Sequence, residues 1–309
     1  MGEDMKIAGV FPGQGSQKIG MGKELFEESG LAKELFKRAD NALDFSLSSL
    51  CFNGPEETLR LTENTQPALL VVSYIAYKLA EIELSCAAGH SLGEYSALLA
   101  ADVFDFEDAV TLVHKRGRYM QDAVPPGAGK MVAVMGPTEA QIRGVIAEIS
   151  SGTVEIANLN SPGQTVIAGD IVGIDTFINL APSINAKVIP LNVSAPFHCR
   201  LMQPAADKLA KDLDKIIFRD PKFPVYSNVS ATIIKTGDEA RKYLKEQVCS
   251  SVRWTDLFVN MCNEQSITHT IEFGPSGVLT KLIKRINENI VRCEISDTQT
   301  LAKTKQELI

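Results

Sequence analysis

The sequence predicts an α/β protein with a small inserted subdomain, and three observations carry that prediction. Short apolar runs ending near glycine alternate with amphipathic stretches of roughly ten to twenty residues, the spacing of strands and crossover helices. A Gly/Pro break, Pro125-Pro126-Gly127-Ala128-Gly129, then introduces a different pattern: β-α-β-β-α-β within about 65 residues, the ferredoxin-like order. The chain of 309 residues is 45% hydrophobic and 22% charged, enough to bury a large core without a disulfide or metal staple.

In order, residues 6–11 read as a buried strand that ends in the loop Pro12-Gly13-Gln14-Gly15. Helices are expected over 22–42 and 66–83, the second with Pro67 near its first turn, where the missing N–H costs little. Residues 84–88 read as a short strand, and 92–101 and 105–123 as helices. After the Gly/Pro break come strands at 130–135, 154–158, 165–168 and 187–193, with helices at 138–150 and 171–180. Helices at 202–216, 238–249 and 278–287 and a strand at 268–273 resume the first pattern. The expected division is therefore a core of 1–129 with 196–309 and a subdomain of 130–195.

Composition excludes several classes. Thirty-one basic against 38 acidic residues leave a charge of −7, which argues against a nucleic-acid binder. The 6 cysteines are scattered with no CxxC pair, the pattern of reduced thiols and not of a zinc site or disulfide framework. The N-terminus carries Glu3 and Asp4 and no apolar stretch of signal-peptide length. Lys6 stands where a myristoylated Gly2 would need Ser or Thr. No apolar run reaches the roughly 18 residues of a membrane span. A cytoplasmic protein with no membrane partner is expected.

The sharpest local signal is Gly89-His90-Ser91-Leu92-Gly93, a G-x-S-x-G at an expected strand-to-helix turn. Flanking glycines let the chain turn without Cβ clashes, and the following helix aims N–H groups and its positive dipole end at developing negative charge. A glycine-rich turn with an incidental serine is the alternative. Of the 4 histidines, His198 lies in an irregular loop where the subdomain returns to the core, the setting in which catalytic bases tend to sit. It also follows the serine, as in α/β hydrolases. His114 and His269 fall inside regular elements, and no acid stands out as an orienter, so a Ser91–His198 dyad is the reading.

The expected helix 105–123 places Ala109, Leu112, Val113 and Met120 on one stripe with Arg116 among them. A guanidinium on an apolar face must be paired. Either an internal acid pairs it or a ligand carboxylate does, in bidentate geometry. With a serine nucleophile in the same cleft, the second case points to a dicarboxylic thioester.

At these residues the sequence resembles the malonyl-CoA:acyl carrier protein transacylases of fatty acid synthesis, nearly end to end. Phe11-Pro12-Gly13-Gln14-Gly15-Ser16-Gln17, Thr65-Gln66-Pro67-Ala68, the stretch from Gly89 through Leu92 and Glu94 to Ser96, Arg116-Gly117, the stretch from Asn160 to Gly169, Phe197-His198 and Glu272-Phe273-Gly274-Pro275 follow the family's order. The resemblance implies an α/β-hydrolase-like core with the active site in the cleft beside the ferredoxin-like subdomain. It implies Ser91 as nucleophile, His198 as base and then acid, and Gln247 as the residue whose backbone carbonyl orients His198. It further implies backbone N–H groups of Gln14 and Leu92 as the oxyanion hole and Arg116 as the malonyl clamp, with His90 and Asn160 beside the substrate. No metal or other cofactor is implied; the donor is malonyl-CoA and the acceptor the phosphopantetheine thiol of acyl carrier protein. A monomer is expected. Ser251 stands where the family usually has proline before Val252 and Trp254, and the stretch from Tyr77 to Gly89 is shorter than usual.

Phe197 resembles the malonyl-selective pattern of polyketide acyltransferases, where bulk crowds an α-methyl group; plain core packing is the alternative. Lys281, Lys284 and Arg285 are a candidate carrier-protein patch or a solvated helix face. The rival functions are a polyketide-serving malonyl acyltransferase, a thioesterase and a non-catalytic carrier-protein scaffold.

Overall fold

The structure is a computed structural model that describes residues 5–193 and 195–308. The readings of Glu3, Asp4 and Gly2 lie outside the described residues, as does Ser194 of the return loop. A first strand, β1 (Ile7–Phe11), is followed by α1 (Lys23–Glu28), α2 (Gly30–Leu43), α3 (Leu47–Asn53), α4 (Glu56–Leu59) and α5 (Thr62–Ala80). Next come β2 (Cys86–Gly89), α6 (Leu92–Ala100) and α7 (Phe106–Gln121). The segment β3 (Gly129–Met135), α8 (Glu139–Glu148), β4 (Val154–Ser161), β5 (Gln164–Asp170), α9 (Ile171–Leu180) and β6 (Lys187–Pro190) follows. The chain then runs through α10 (Gln203–Leu213), β7 (Val225–Tyr226), β8 (Ile233–Ile234), α11 (Gly237–Gln247) and α12 (Trp254–Gln265). It ends in β9 (His269–Phe273), α13 (Val278–Ile286), β10 (Val291–Ile295) and α14 (Thr298–Leu308).

The first sheet has the order β10-β9-β1-β2-β7-β8 and is parallel except for the β7–β8 pair. Strand β1 is buried throughout, as a parallel strand covered on both faces must be. Its alternate residues feed two cores. Ile7 and Phe11 pack with α5 and α6 residues such as Leu69, Val72 and Leu98, whereas Ala8 and Val10 pack with Trp254, Phe258 and Ile283 of α12 and α13.

The second sheet, β4-β5-β3-β6, is antiparallel throughout. Here too a period of two sorts the side chains. Val132 and Val134 meet Ile142, Val145, Ile174 and Phe177 of α8 and α9, while Met131, Ala133, Ala157 and Ala168 join the core of the larger sheet. Strand β4 of the second sheet is tied to the segment between α11 and α12 by backbone bonds, Val252 N–H to the Ala157 carbonyl at 2.8 Å and Leu159 N–H to the Val252 carbonyl at 2.9 Å.

Several elements differ from expectation. The helix expected over 22–42 is two, because extended Ser29 interrupts it and its hydroxyl accepts from Ala32 N–H at 3.3 Å, starting a new helix. The helix expected from Gln66 begins at Thr62, so Pro67 lies in its interior. Proline leaves the carbonyl four residues back, that of Glu63, without its helical donor; His114 Nδ1 takes that acceptor at 2.9 Å. The strand expected to Val193 stops at Pro190. Strands β7 and β8, with two residues each, are too short to show a period, and α3, α4, α12, β10 and α14 are additions to the expected elements. Among the described residues no helix is long and apolar enough to cross a membrane.

Candidate active site

Strand β2 runs into α6 through Ser91, whose φ of 52° and ψ of −107° lie in a region that costs a non-glycine residue about 1–3 kcal/mol. The turn closes only because two neighbours lack Cβ atoms. A Cβ on Gly89 would lie 1.8 Å from the carbonyl carbon of Gly93, and one on Gly93 would lie 1.9 Å from the Phe11 carbonyl oxygen. Asn228, in the turn after β7, holds the elbow from outside: Ser91 N–H donates to Asn228 Oδ1 at 2.7 Å, and Asn228 Nδ2 donates to the Gly89 carbonyl at 2.7 Å. The strained serine is thus held by close backbone contacts with β1 and α6 and by the Asn228 side chain.

Ser91 Oγ lies 2.7 Å from His198 Nε2. On the other side of the ring, His198 Nδ1 lies 3.0 Å from the backbone carbonyl of Gln247. Gln247 is the last residue of α11, so its carbonyl lacks the usual donor four residues on; it accepts from Ser250 N–H at 3.3 Å and keeps a lone pair for the imidazole. A carbonyl can only accept, which places the proton on Nδ1 and leaves Nε2 as the acceptor for the serine hydroxyl. Burial first and Arg116 second push the imidazole down to about 3, while the Gln247 carbonyl pulls the other way. His198 is therefore neutral near pH 7, the form that can take a proton. The loop after Gln247 is anchored at Ser251, whose Oγ donates to the Ile156 carbonyl at 2.5 Å.

Arg116 is 1% exposed on α7. Its Nη1 donates to Gln66 Oε1 at 2.8 Å, and its Nη2 donates to Gln247 Oε1 at 2.9 Å and Ser91 Oγ at 3.2 Å. Its Nε has no partner, and its guanidinium carbon lies 5.1 Å from the centre of the Tyr95 ring. Among the described residues no carboxylate forms an ion pair with it; every direct partner is neutral. The nearby acid, Glu94, is fully buried and pushed up to about 7 by that burial, against hydrogen bonds from Gln247 and Asn228.

Ser91, His198 and Arg116 open onto a cleft of ≈ 120 Å³ also lined by Gln14, His90, Leu92, Met131, Asn158 and Phe197. Gln14 follows β1 and Leu92 opens α6, so both backbone N–H groups stand at the carboxyl ends of parallel strands, where open α/β sheets bind ligands. Leu92, as the first helical residue, has no intrahelical acceptor for its N–H. His90 Nε2 lies 2.8 Å from Asn160 Oδ1, and its ring sits 5.8 Å from that of Trp254. Asn160 itself stands behind His90, while Asn158, two residues earlier on β4, reaches the cleft wall. A second cavity of ≈ 320 Å³ with Lys18 and Arg60 on its wall adjoins at Gln14 and Val193. His269 pairs with its neighbour Thr268, away from the site. Lys281, Lys284 and Arg285 are exposed on α13.

Sequence reasoning missed Asn228, Gln66, Asn158 and Glu94. Glu94 carried a signal, the one charged residue in the run of α6, and Gln66 precedes the motif proline. Asn228 carried none, because its role exists only once β7 lies beside β2.

A strained serine elbow with a carbonyl-oriented histidine and a buried arginine, on a parallel α/β sheet, defines an acyl-transferring enzyme. The model of the acyl transferase domain family matches residues 9–307. The malonyl CoA-acyl carrier protein transacylase of Bacillus subtilis (strain 168) is 45% identical over 98% of this chain and 97% of its own length. That of Escherichia coli (strain K12) is 42% identical over 96% and 98%. The solved structure of the Coxiella burnetii malonyl CoA-acyl carrier protein transacylase superposes with a TM-score of 0.95 at 40% identity, covering 98% of both chains. A malonyl-transacylase solved with its type II PKS acyl-carrier protein superposes at 0.94, with 40% identity over 98% of this chain and 99% of that one. The chain belongs to the malonyl CoA-acyl carrier protein transacylase family of acyl transferases.

Proposed function

We propose that the protein moves a malonyl group from malonyl-CoA to the phosphopantetheine thiol of acyl carrier protein, supplying fatty acid synthesis, by a ping-pong reaction with no metal or redox cofactor. Ser91 Oγ attacks the thioester carbonyl carbon while His198 Nε2 accepts the hydroxyl proton. Backbone N–H groups of Gln14 and Leu92 hold the oxyanion. The C–S bond breaks, His198 returns its proton to the departing CoA sulfur, and malonyl-Ser91 remains. The carrier thiol then attacks that ester, with His198 again taking the proton and giving it back to Ser91.

The observation that carries this reading is Arg116: a buried cation with only neutral partners, an idle Nε and an Nη2 at 3.2 Å from Ser91 Oγ. A bound malonyl carboxylate completes its pairing in bidentate form. His90, held by Asn160, flanks the substrate, and Phe197 crowds an α-methyl group. The cleft lies between the core of 1–129 with 196–309 and the subdomain of 130–195. The protein works as a monomer in the cytoplasm.

Intact-mass spectrometry after brief mixing with malonyl-CoA tests the proposal. A malonyl-sized gain in the wild type, absent in Ser91→Ala and discharged by acyl carrier protein, is expected. CoA release without an adduct would make the protein a thioesterase. The structural likeness to a transacylase solved with a polyketide carrier favours a second reading, service to a polyketide synthase; faster discharge by a polyketide carrier than by a fatty-acid carrier would select it.

A further inference from the structure

Glu94 is the acid that the reaction above leaves without a task. It is fully buried on α6, and among the described residues no cation touches it. Burying a carboxylate is costly unless its hydrogen bonds do something an apolar side chain cannot. Its Oε1 has no partner, while its Oε2 accepts from Gln247 Nε2 at 2.5 Å and from Asn228 N–H at 3.1 Å.

We infer that Glu94 is a positioning residue for malonyl selection: by accepting from Gln247 Nε2 it fixes the orientation of that amide, so that Oε1 faces Arg116 and holds the guanidinium over Ser91. The inference rests on the reading of Arg116 as the carboxylate clamp. An amide side chain has a donor end and an acceptor end of nearly equal shape, and only its neighbours choose between them. Arg116 Nη2, 2.9 Å from the acceptor end, is a donor. Gln247 Nε2 also donates to the Ser91 carbonyl at 3.1 Å, so the amide end near Glu94 faces two acceptors. Glu94 Oε2, already the acceptor for Asn228 N–H, also accepts from Gln247 Nε2 and enforces that orientation. With the amide reversed, its NH₂ would confront the guanidinium NH₂, and Arg116 would lose one of the two carboxamide oxygens that aim it.

The test compares Glu94→Ala, Glu94→Gln, Gln247→Ala and the Glu94→Ala/Gln247→Ala double variant, as full-length proteins with melting temperatures recorded. The readout is acylation of Ser91 by malonyl-CoA and by acetyl-CoA, which lacks the carboxylate. Glu94→Ala should raise the malonyl KM about tenfold and lower the malonyl-to-acetyl preference in proportion, leaving acetyl transfer nearly intact. Glu94→Gln, whose carbonyl can still accept from Gln247 and Asn228, should recover most of the malonyl KM. The double variant should lose no more selectivity than either single one, because both act through one amide. Equal loss of malonyl and acetyl transfer in Glu94→Ala and Glu94→Gln would overturn the inference in favour of a packing role. So would unchanged selectivity in Glu94→Ala while Arg116→Ala loses it. If Arg116→Ala itself keeps full malonyl selectivity, the clamp reading fails, and the inference with it; that result is read on a protein with Glu94 intact.

Discussion

The serine and the histidine of the cleft are held in opposite ways. The Ser91 elbow is built from five consecutive residues, its shape dictated by two positions where a Cβ would meet backbone within 2 Å. His198 sits in an irregular return loop, at φ 61°, and its Nδ1 is held by a backbone carbonyl 49 residues away in sequence, at the end of α11. Steric exclusion, within the turn and against neighbouring β1, makes the first region rigid. Hydrogen bonding across elements makes the second depend on everything that packs α11 against the cleft. A catalytic pair can thus be half written in a motif and half written in the tertiary structure.

The largest way to break this contrast is Gly93→Ala. The new methyl would collide with the Phe11 carbonyl, which is backbone and cannot rotate away, so a loss of about 4 kcal/mol or more and no detectable malonyl adduct are expected. Thermal unfolding and intact mass check it; a folded, active Gly93→Ala would show that the elbow is not sterically dictated. Arg116→Ala leaves α7 and both catalytic groups in place but removes the cation, and malonyl kcat/KM should fall ~100-fold or more while acetyl transfer falls far less. Equal losses would remove the clamp. A smaller effect belongs to Phe197, buried on the cleft wall. Phe197→Ala should improve methylmalonyl relative to malonyl transfer by about tenfold, the scale of one methylene in a pocket. An unaltered ratio in competition assays would leave it a packing residue.

The smallest expected effect sharpens the histidine half of the comparison. Because burial and Arg116 hold His198 down at about 3, below its ordinary 6.5, the free enzyme keeps the neutral base as the pH falls. The kcat/KM for malonyl-CoA should therefore show no limb near 6.5 and stay nearly flat from about pH 7.5 to 5.5. A tenfold fall across that interval would contradict a desolvated histidine. The stability consequence has the sign of a depressed base: the unfolded chain binds the proton that the folded one refuses, so this group lowers stability as the pH drops from about 6.5 towards 3. Glu94, raised by burial to about 7, acts oppositely and lowers stability as the pH rises from its ordinary 4.5 towards 7.

Much of the molecule is legible in the amino-acid sequence. A short apolar run ending in a Pro-Gly loop marks β1, and the elbow motif locates Ser91. The lone guanidinium on the apolar stripe of α7 marks Arg116, although spacing alone leaves open whether an internal acid pairs it. The answer lies in the packing, where Gln66 and Gln247, from α5 and α11, are its partners. The same limit hides the interior Pro67, whose freed acceptor at Glu63 is met by His114 from another helix.

By itself, then, the sequence determined the alternating fold, the serine turn and the presence of a buried cation, because those follow from local sterics and from the period of apolar residues along one element. The tertiary structure alone decided which histidine nitrogen carries the proton, which way the Gln247 amide points and that Asn228 braces the elbow. Those are matters of donor meeting acceptor between segments distant in the chain, and no local pattern encodes a partner that only folding brings near.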